Sequence, residues 1–164
     1  MSAATTASRE QRFTPKRLYF VLAIAEACTW TLLLAGLSVR AIWGIDPSAL
    51  FVIGGLHGFV FISYGATAIL VAINQRWHFA VGLLAVVTAI LPYATIPFDI
   101  VQNRRGALNG DWRRNATDDP RDKHWFDRFV RWFLNRPVLL VLAIVAAIVL
   151  IFCVLLLAGP PGGR

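Results

Sequence analysis

Charged side chains are scarce in this sequence, and acidic ones are the scarcest. Asp and Glu together number 9 against 16 Lys and Arg, and the four types make up 15% of the 164 residues, whereas soluble domains average about 25%. The hydrophobic share is 57% and the mean hydropathy is +0.62. This balance excludes an ordinary soluble domain and indicates an integral membrane protein.

Motifs for metals, nucleotides and disulfides are also missing. The two cysteines, Cys28 and Cys153, both lie within apolar runs and are expected to be small packing residues rather than a disulfide. The sequence has no zinc-ligand spacing, no P-loop and no dinucleotide fingerprint, so we expect no metal and no cofactor. The net charge of +7 comes from helix ends and one loop, which favours anionic lipid headgroups over nucleic acid as the partner.

Four apolar runs are each about 20 residues long, which is the length needed to cross a bilayer as a helix. They cover residues 18–39, 49–73, 79–100 and 138–158. Because the first three are joined by short links, they predict an antiparallel three-helix transmembrane unit. The predicted fold class is therefore all-α integral membrane, with that unit followed by a fourth C-terminal transmembrane helix. The expected location is the bacterial inner (plasma) membrane, crossed several times.

The predicted organisation has six parts. They are a polar N-terminal tail (1–17), the three-helix core (18–100), a charged loop (101–122), a basic amphipathic interfacial helix (123–136), the fourth transmembrane helix (138–158) and a disordered tail (159–164). Aromatic residues near the ends of the runs, such as Tyr19 and Trp77, are typical of anchors at the membrane interface.

The segment 123–136 places aromatic residues at helical spacing with charged residues on the other side. This pattern is typical of a helix that lies in the headgroup region. Arg128, Arg131 and Arg136 are its candidates for contact with lipid headgroups. The alternative is that the segment simply begins the fourth helix, but Pro137 favours a break before it.

The orientation follows from counting Lys and Arg on each side. If the first three runs all cross, the long loop and Arg40 share one side with ten basic residues, and the N-terminus shares the other side with six. The positive-inside rule then predicts a cytoplasmic long loop and an external N-terminus. The first helix alone argues the reverse, because four basic residues precede it and one follows it.

Glu26 is the acidic residue within the first apolar run. A carboxyl at bilayer depth is costly and usually faces a partner or a cavity, so it is a functional-site hypothesis by default. His57 and Tyr64 share one face of the second run, because they are seven residues apart. From their depths we expect Glu26 to contact Tyr64 and His57 to contact the third helix, where Pro92 frees the carbonyl of Thr88.

Two more residues complete the binding or polar-core candidates. Pro92 interrupts the third apolar run, and Asp99 lies near its end. We expect Asp99 near the interface on the long-loop side, where an ordinary hydrated charge at a helix end explains it better than a site does. Glu26, His57, Tyr64, Pro92 and Asp99 are therefore the candidate set, and no catalytic residue is predicted.

The second run carries small residues at helical spacing, including Gly54, Gly58 and Gly65. Such stripes let membrane helices approach closely. They form either a homodimer interface or a packing surface for the neighbouring helices of the same chain. We favour the second, because neighbours joined by short links pack first.

Three motifs resemble those of the YdzA-like small bacterial integral membrane proteins, a family whose domain has no known function. They are Ala25-Glu26-Ala27, the segment from His57 to Tyr64 and the segment from Ile90 to Asp99, and the resemblance covers about residues 16–100. It implies a role for Glu26, His57, Gly58, Tyr64, Pro92 and Asp99. The sequence departs from the family pattern at Ala27 and at Tyr93-Ala94. The resemblance implies no particular activity.

Three functions remain open at this stage. The favoured one is a non-enzymatic oligomeric or accessory membrane module, bound to copies of itself or to a larger membrane protein, with Glu26, His57 and Tyr64 as a buried polar clasp. The alternative is a proton-coupled transporter or lipid-handling protein that uses Glu26 and His57. A membrane enzyme is the least favoured, because the sequence offers no nucleophile or metal set. The substrate, if there is one, is not encoded in any motif.

Overall fold

A computed structural model describes residues 14–44 and 47–158; the predicted tail 159–164 and most of the tail 1–17 lie outside this range. All regular secondary structure in the described residues is helical. The helices are α1 (Pro15–Trp43), α2 (Pro47–Asn74), α3 (Phe79–Val87), α4 (Thr95–Arg104), α5 (Trp125–Leu134) and α6 (Pro137–Ala158), with short 3-10 segments at Thr88–Ile90 and Pro120–Lys123. The chain forms two compact units, Met1–Gly110 and Asp111–Arg164.

Three of the described helices are long and apolar enough to cross a membrane: α1, the part of α2 from Leu50 to Asn74, and α6. Helix α1 begins where Thr14 accepts a hydrogen bond from the backbone N–H of Arg17 at 3.2 Å, with Pro15 in the first turn, which is the usual chemistry of a helix start. It ends at Gly44, whose φ of 65° suits a left-handed cap.

Helix α2 ends in a tight reversal. Arg76 has a φ of 55°, and the N–H of Trp77 donates to the carbonyl of Ala72 at 2.9 Å. This bond spans five residues, which is the signature of a helix C-terminal motif with one left-handed residue. The reversal sends the chain straight into α3 beside α2.

The prediction of one continuous third transmembrane helix over 79–100 was wrong. The structure has α3, one 3-10 turn and then a second helix, α4. Two features end the first helix: Pro92 has no N–H to donate, and Tyr93 has a φ of 65°, which is rare for a bulky residue. The apolar run is therefore divided between two short helices, neither of which is long enough to cross a bilayer.

These two helices run in opposite directions. At the far end of α3, the carbonyl of Ala89 accepts a hydrogen bond from Trp30 at 3.2 Å. Phe98, within α4, packs on Trp77 just before α3 with ring centroids 6.2 Å apart, and beyond the end of α4 the carbonyl of Ala107 accepts from Trp77 at 2.8 Å. Residues 79–104 thus form a helical hairpin, referred to below as the hairpin. Its second helix, α4, ends near the start of its first helix, α3.

The hairpin reaches only part of the way along α1. Residues 79–90 rise about 18 Å at ~1.5 Å per residue, whereas the hydrocarbon core of a bilayer is about 30 Å thick. Its two ends, the start of α1 and the end of α2 share one end of the first unit, called here the basic end. The expectation that the long loop leaves from the opposite end to the N-terminus was therefore wrong.

The second unit is organised around Asp122. This carboxylate accepts from the N–H and hydroxyl of Thr117, at 2.8 and 2.6 Å, and from Arg131 at 2.7 Å. Arg131 also donates to the backbone carbonyl of Asp122. Nearby, Arg113 pairs with Asp127 at 2.7 Å. The result is a polar core that holds the loop after residue 111 against α5.

Candidate functional site

Glu26 is fully buried on α1. Its Oε2 accepts a hydrogen bond from the hydroxyl of Thr95, the first residue of α4, at 3.0 Å. Its Oε1 has no hydrogen-bond partner among the described residues. The indole of Trp30 lies beside the carboxyl group, but its N–H points to Ala89. The carboxyl is half satisfied, and leaving a buried polar atom unpaired typically costs about 1–3 kcal/mol.

A pair of tyrosines, Tyr19 of α1 and Tyr64 of α2, lies on the same side of α1 as Glu26. The hydroxyls of Tyr19 and Tyr64 are 2.6 Å apart, and both side chains are fully buried. Tyr64 also donates to the carbonyl of Ala85 on α3 at 3.2 Å. Since each hydroxyl has one hydrogen, Tyr19 donates to Tyr64 when Tyr64 donates to Ala85. Tyr19 was predicted to be an interfacial anchor, and instead it links α1 to α2 and, through Tyr64, to the hairpin.

His57 joins the cluster through α1. Its Nδ1 lies 3.1 Å from the hydroxyl of Thr29, and its ring packs on Trp30 with centroids 4.5 Å apart. The hydroxyl hydrogen of Thr29 is directed to the backbone carbonyl of Glu26 at 2.9 Å. Because a hydroxyl has one hydrogen to give, Nδ1 of His57 is the donor to Thr29.

The structure therefore brings Glu26, His57 and Tyr64 to the same packed region but changes their partners. The expected hydrogen-bond partner of Glu26 was Tyr64, and the observed one is Thr95. The expected partner of His57 was the carbonyl of Thr88, which instead accepts from Leu91 at 3.3 Å. The polar cluster, as the name is used below, consists of Tyr19, Glu26, Thr29, Trp30, His57, Tyr64 and Thr95.

Sequence reasoning did not select Thr29, Trp30 or Thr95. Thr29 and Trp30 carried a usable signal, because residues three and four positions after Glu26 lie on the same face of a helix. Thr95 carried none, because it meets Glu26 only through the fold of the hairpin, across 69 residues of sequence.

Asp99 lies at the basic end, on the side of the unit opposite to the one expected. It is buried, with 7% of its surface exposed, and its Oδ1 has no hydrogen-bond partner among the described residues. Lys16, at the start of α1, is the cation that interacts electrostatically with the carboxyl group of Asp99. The interpretation of Asp99 as a hydrated helix-end charge was therefore wrong.

Pro92 is exposed and outside the polar cluster. It lies at the tip of the hairpin beside Tyr93, whose hydroxyl is 3.2 Å from that of Thr31 on α1. The contribution of Pro92 is to end the first half of the hairpin rather than to provide a carbonyl to His57.

Two of the predicted glycines, Gly54 and Gly65, are not among those that allow close packing. A Cβ added at Gly54 or Gly65 would meet no atom within 4 Å, and Gly58 is half-buried. In contrast, a Cβ at Gly36 would lie 3.0 Å from Leu50, and one at Gly82 would lie 3.2 Å from Ala72. The favoured packing surface within the chain is therefore not supported at Gly54 and Gly65, and the close contacts at Gly36 and Gly82 join α1 with α2 and α2 with α3.

The three arginines predicted for lipid headgroups divide into two groups. Arg128 is exposed, and exposed Arg136 stacks over Trp132 at 4.2 Å. Arg131 is buried against Asp122, so it is a structural residue of the second unit.

Elsewhere in this unit, the hydrogen bond to Asp119 raises the pKa of the exposed Arg121. Across residues 14–44 and 47–158, no group of three or more His, Cys, Asp or Glu side chains could hold a metal ion.

Long apolar helices and a buried polar cluster define this chain as a helical membrane protein. Residues 16–104 match the family model of DUF3817, a domain of unknown function. That match covers more than half of the chain, which belongs to this family. The matched range includes the segment 16–100 on which the resemblance was based, while the YdzA-like name stays a prediction.

A relative is found in a much longer protein. Over 93 residues the chain is 38% identical to Putative membrane protein SCO5905 of Streptomyces coelicolor, a match that covers 56% of this chain and 11% of the relative. The chain thus spans about one ninth of the length of the curated relative it matches. No solved structure matches this chain.

Proposed function

We propose that this chain is a non-enzymatic accessory membrane module whose polar cluster is a clasp that holds the hairpin against α1 and α2. The carrying observation is the hydrogen bond from Thr95 to Glu26 at 3.0 Å. It joins the middle of a long apolar helix to the first residue of the returning helix, where both side chains are fully buried and a polar pair has few alternatives.

The other members of the cluster act in the same direction. Tyr64 on α2 bonds both Tyr19 on α1 and Ala85 on the hairpin, while His57 on α2 bonds Thr29 on α1. Each bond crosses between helices, so the set fixes the relative positions of three elements. A module that binds a partner benefits from such a fixed shape, because less ordering remains to be done on association.

The length of the relative supports an accessory role. A segment similar to this one makes up 11% of Putative membrane protein SCO5905, so a similar sequence occurs within a much larger membrane-protein chain. We propose a larger membrane-protein partner ahead of a homo-oligomer. The open surfaces at Gly54 and Gly65 leave room for a helix from either.

Native mass spectrometry of the mildly extracted full chain tests this proposal. The expected result is a defined complex with a larger membrane protein that is lost in Thr95→Val, which removes the hydroxyl held by Glu26, and kept in Thr95→Ser, which retains it. A monomer in the wild type under conditions that preserve known complexes would overturn the proposal.

A second candidate is a proton-coupled transporter or lipid-handling protein that uses Glu26 and His57. The observation that favours it is the unpartnered Oε1 of the fully buried Glu26, because an acidic group at this depth is a common proton carrier. The test is infrared difference spectroscopy of the wild type against Glu26→Gln. A carboxylic-acid band that titrates with pH and vanishes in the variant supports a carrier, and a band that does not titrate contradicts it.

A further inference from the structure

The hairpin brings four helix ends to one side of the first unit. The start of α1, the end of α2, the start of α3 and the end of α4 all meet there, as the contacts of Trp77 with Tyr19, Phe98 and Ala107 demonstrate. A continuous third helix would instead have carried its C-terminal residues to the opposite end.

This arrangement gathers the basic residues of the unit. The described basic residues at this end are Lys16, Arg17, Arg76, Arg104 and Arg105. Four of them are exposed, and Arg76 is half-buried. Arg40, near the end of α1, is the one described basic residue of the first unit at the opposite end. In the sequence, Arg9, Glu10 and Arg12 also precede α1 and add a net charge of one basic residue.

Acidic residues do not balance this surface. The described acidic residues of the first unit are Glu26 and Asp99, and both are buried. Among the described residues, the exposed charge at the basic end is therefore of one sign. A surface of several exposed cations at the end of apolar helices fits the negative headgroups of an anionic leaflet.

We propose that the basic end is the cytoplasmic surface of the first unit, and that Lys16, Arg17, Arg104 and Arg105 bind anionic lipid headgroups there. The N-terminus and the connection after α4 then both lie in the cytoplasm. This reverses the expected position of the N-terminus. The count of Lys and Arg in the sequence had placed the N-terminus and the long loop on opposite sides of the membrane. Because the hairpin places the basic residues at the start of α1 and those at the end of α4 on one side, a cytoplasmic basic end satisfies the positive-inside rule for both groups. The proposal does not depend on the function proposed above.

Cysteine labelling in a Cys28→Ala, Cys153→Ala background tests the orientation. Single cysteines replace Ser8, ahead of α1, and Asn109, after the hairpin, with Ser48 at the opposite end as the matched control. An impermeant maleimide is applied to intact and then to permeabilised cells. We expect the cysteines at positions 8 and 109 to react only after permeabilisation. Reaction of either in intact cells overturns the orientation, and reaction of only one overturns the hairpin as well.

Lipid retention tests the headgroup contact. The full chain is purified in mild detergent with labelled phosphatidylglycerol or phosphatidylcholine, in the wild type, in the double variant Arg104→Gln, Arg105→Gln and in the control Arg40→Gln. We expect the double variant to bind phosphatidylglycerol roughly 25-fold more weakly, since each arginine near an anionic surface contributes about a factor of five. Arg40→Gln should match the wild type. Equal binding of the two lipids by the wild type, or no loss in the double variant, overturns the contact.

Discussion

Thr95 donates its hydroxyl to the carboxylate of Glu26 at 3.0 Å, and both side chains are fully buried. The two residues belong to helices that no short link joins. Their contact exists because the chain turns at Pro92 and Tyr93 and comes back along α1. The bond is therefore a direct report on whether the hairpin is formed.

Replacing Thr95 by Val should destabilise the protein by about 1–2 kcal/mol, because the fully buried Glu26 loses its hydroxyl partner. The measurement is reversible unfolding in mixed detergent micelles. Thr95→Ser keeps the hydroxyl. After the cost of the lost methyl group is subtracted, its unfolding free energy should lie within about 0.5 kcal/mol of that of the wild type. Equal stability of the Val and wild-type proteins would contradict the role given to this bond.

The tyrosine pair should behave as a coupled unit. Tyr19→Phe and Tyr64→Phe each remove one hydroxyl of the 2.6 Å contact, and Tyr64→Phe also removes one of the two hydroxyls that donate to the carbonyl of Ala85. The carbonyl of Ala85 keeps the hydroxyl of Thr88 as a donor at 2.7 Å, so we expect Tyr64→Phe to cost only somewhat more than Tyr19→Phe, and the double variant to cost about 1 kcal/mol less than the sum of the two. Double-mutant analysis of unfolding free energies measures this coupling.

A matched control for the pair is Tyr93→Phe. Its hydroxyl is 3.2 Å from Thr31 at an exposed position, so its loss should couple to neither Tyr19 nor Tyr64. Additive effects of Tyr19→Phe and Tyr64→Phe would show that the short contact has no energetic weight of its own.

Close packing should be sensitive at Gly36 and tolerant at Gly65. A Cβ at Gly36 would lie 3.0 Å from Leu50 and 3.2 Å from Ile53, so Gly36→Leu should push α1 and α2 apart and cost about 1–3 kcal/mol. A Cβ at Gly65 would meet no atom within 4 Å, so Gly65→Leu should leave the unfolding free energy of the monomer nearly unchanged. Similar losses in both variants would contradict this assignment.

In the second unit, Arg131→Met should destabilise the fold by about 2–3 kcal/mol, because it leaves the buried carboxylate of Asp122 without its closest cation. Amide hydrogen exchange over residues 112–134 provides the measurement. Arg128→Met is the matched control, since Arg128 is exposed on the same helix and its loss should leave exchange unchanged. A headgroup role for Arg131 would instead leave exchange unchanged and weaken lipid binding.

The sequence predicted the long helices α1, α2 and α6 well, because each contains an apolar run long enough to cross a membrane, and hydropathy detects such runs. It also indicated Glu26, since a carboxyl in an apolar run has few explanations. It failed for residues 79–100, where hydropathy records that a run is apolar but not that it reverses. Pro92 was visible as a break, but the left-handed Tyr93 was not, because tyrosine has no preference for that conformation.

The partners within the site could not be predicted for the same reason. Depth along straight helices placed Glu26 beside Tyr64, and this estimate assumed a third helix that crosses completely. Once the chain reverses, Thr95 lies at the level of Glu26, and Ala85 lies at the level of Tyr64. Asp99 moved to the opposite end by the same reversal.

The hairpin also decides how this unit can be joined to other proteins. A chain that enters and leaves on one face adds no net crossing, so a following transmembrane segment keeps the direction it had without the unit. Gene fusion can then attach the unit to an existing membrane protein without inverting any part of it. A relative that carries a similar segment within a chain about nine times as long as the match is the kind of arrangement that such parity permits.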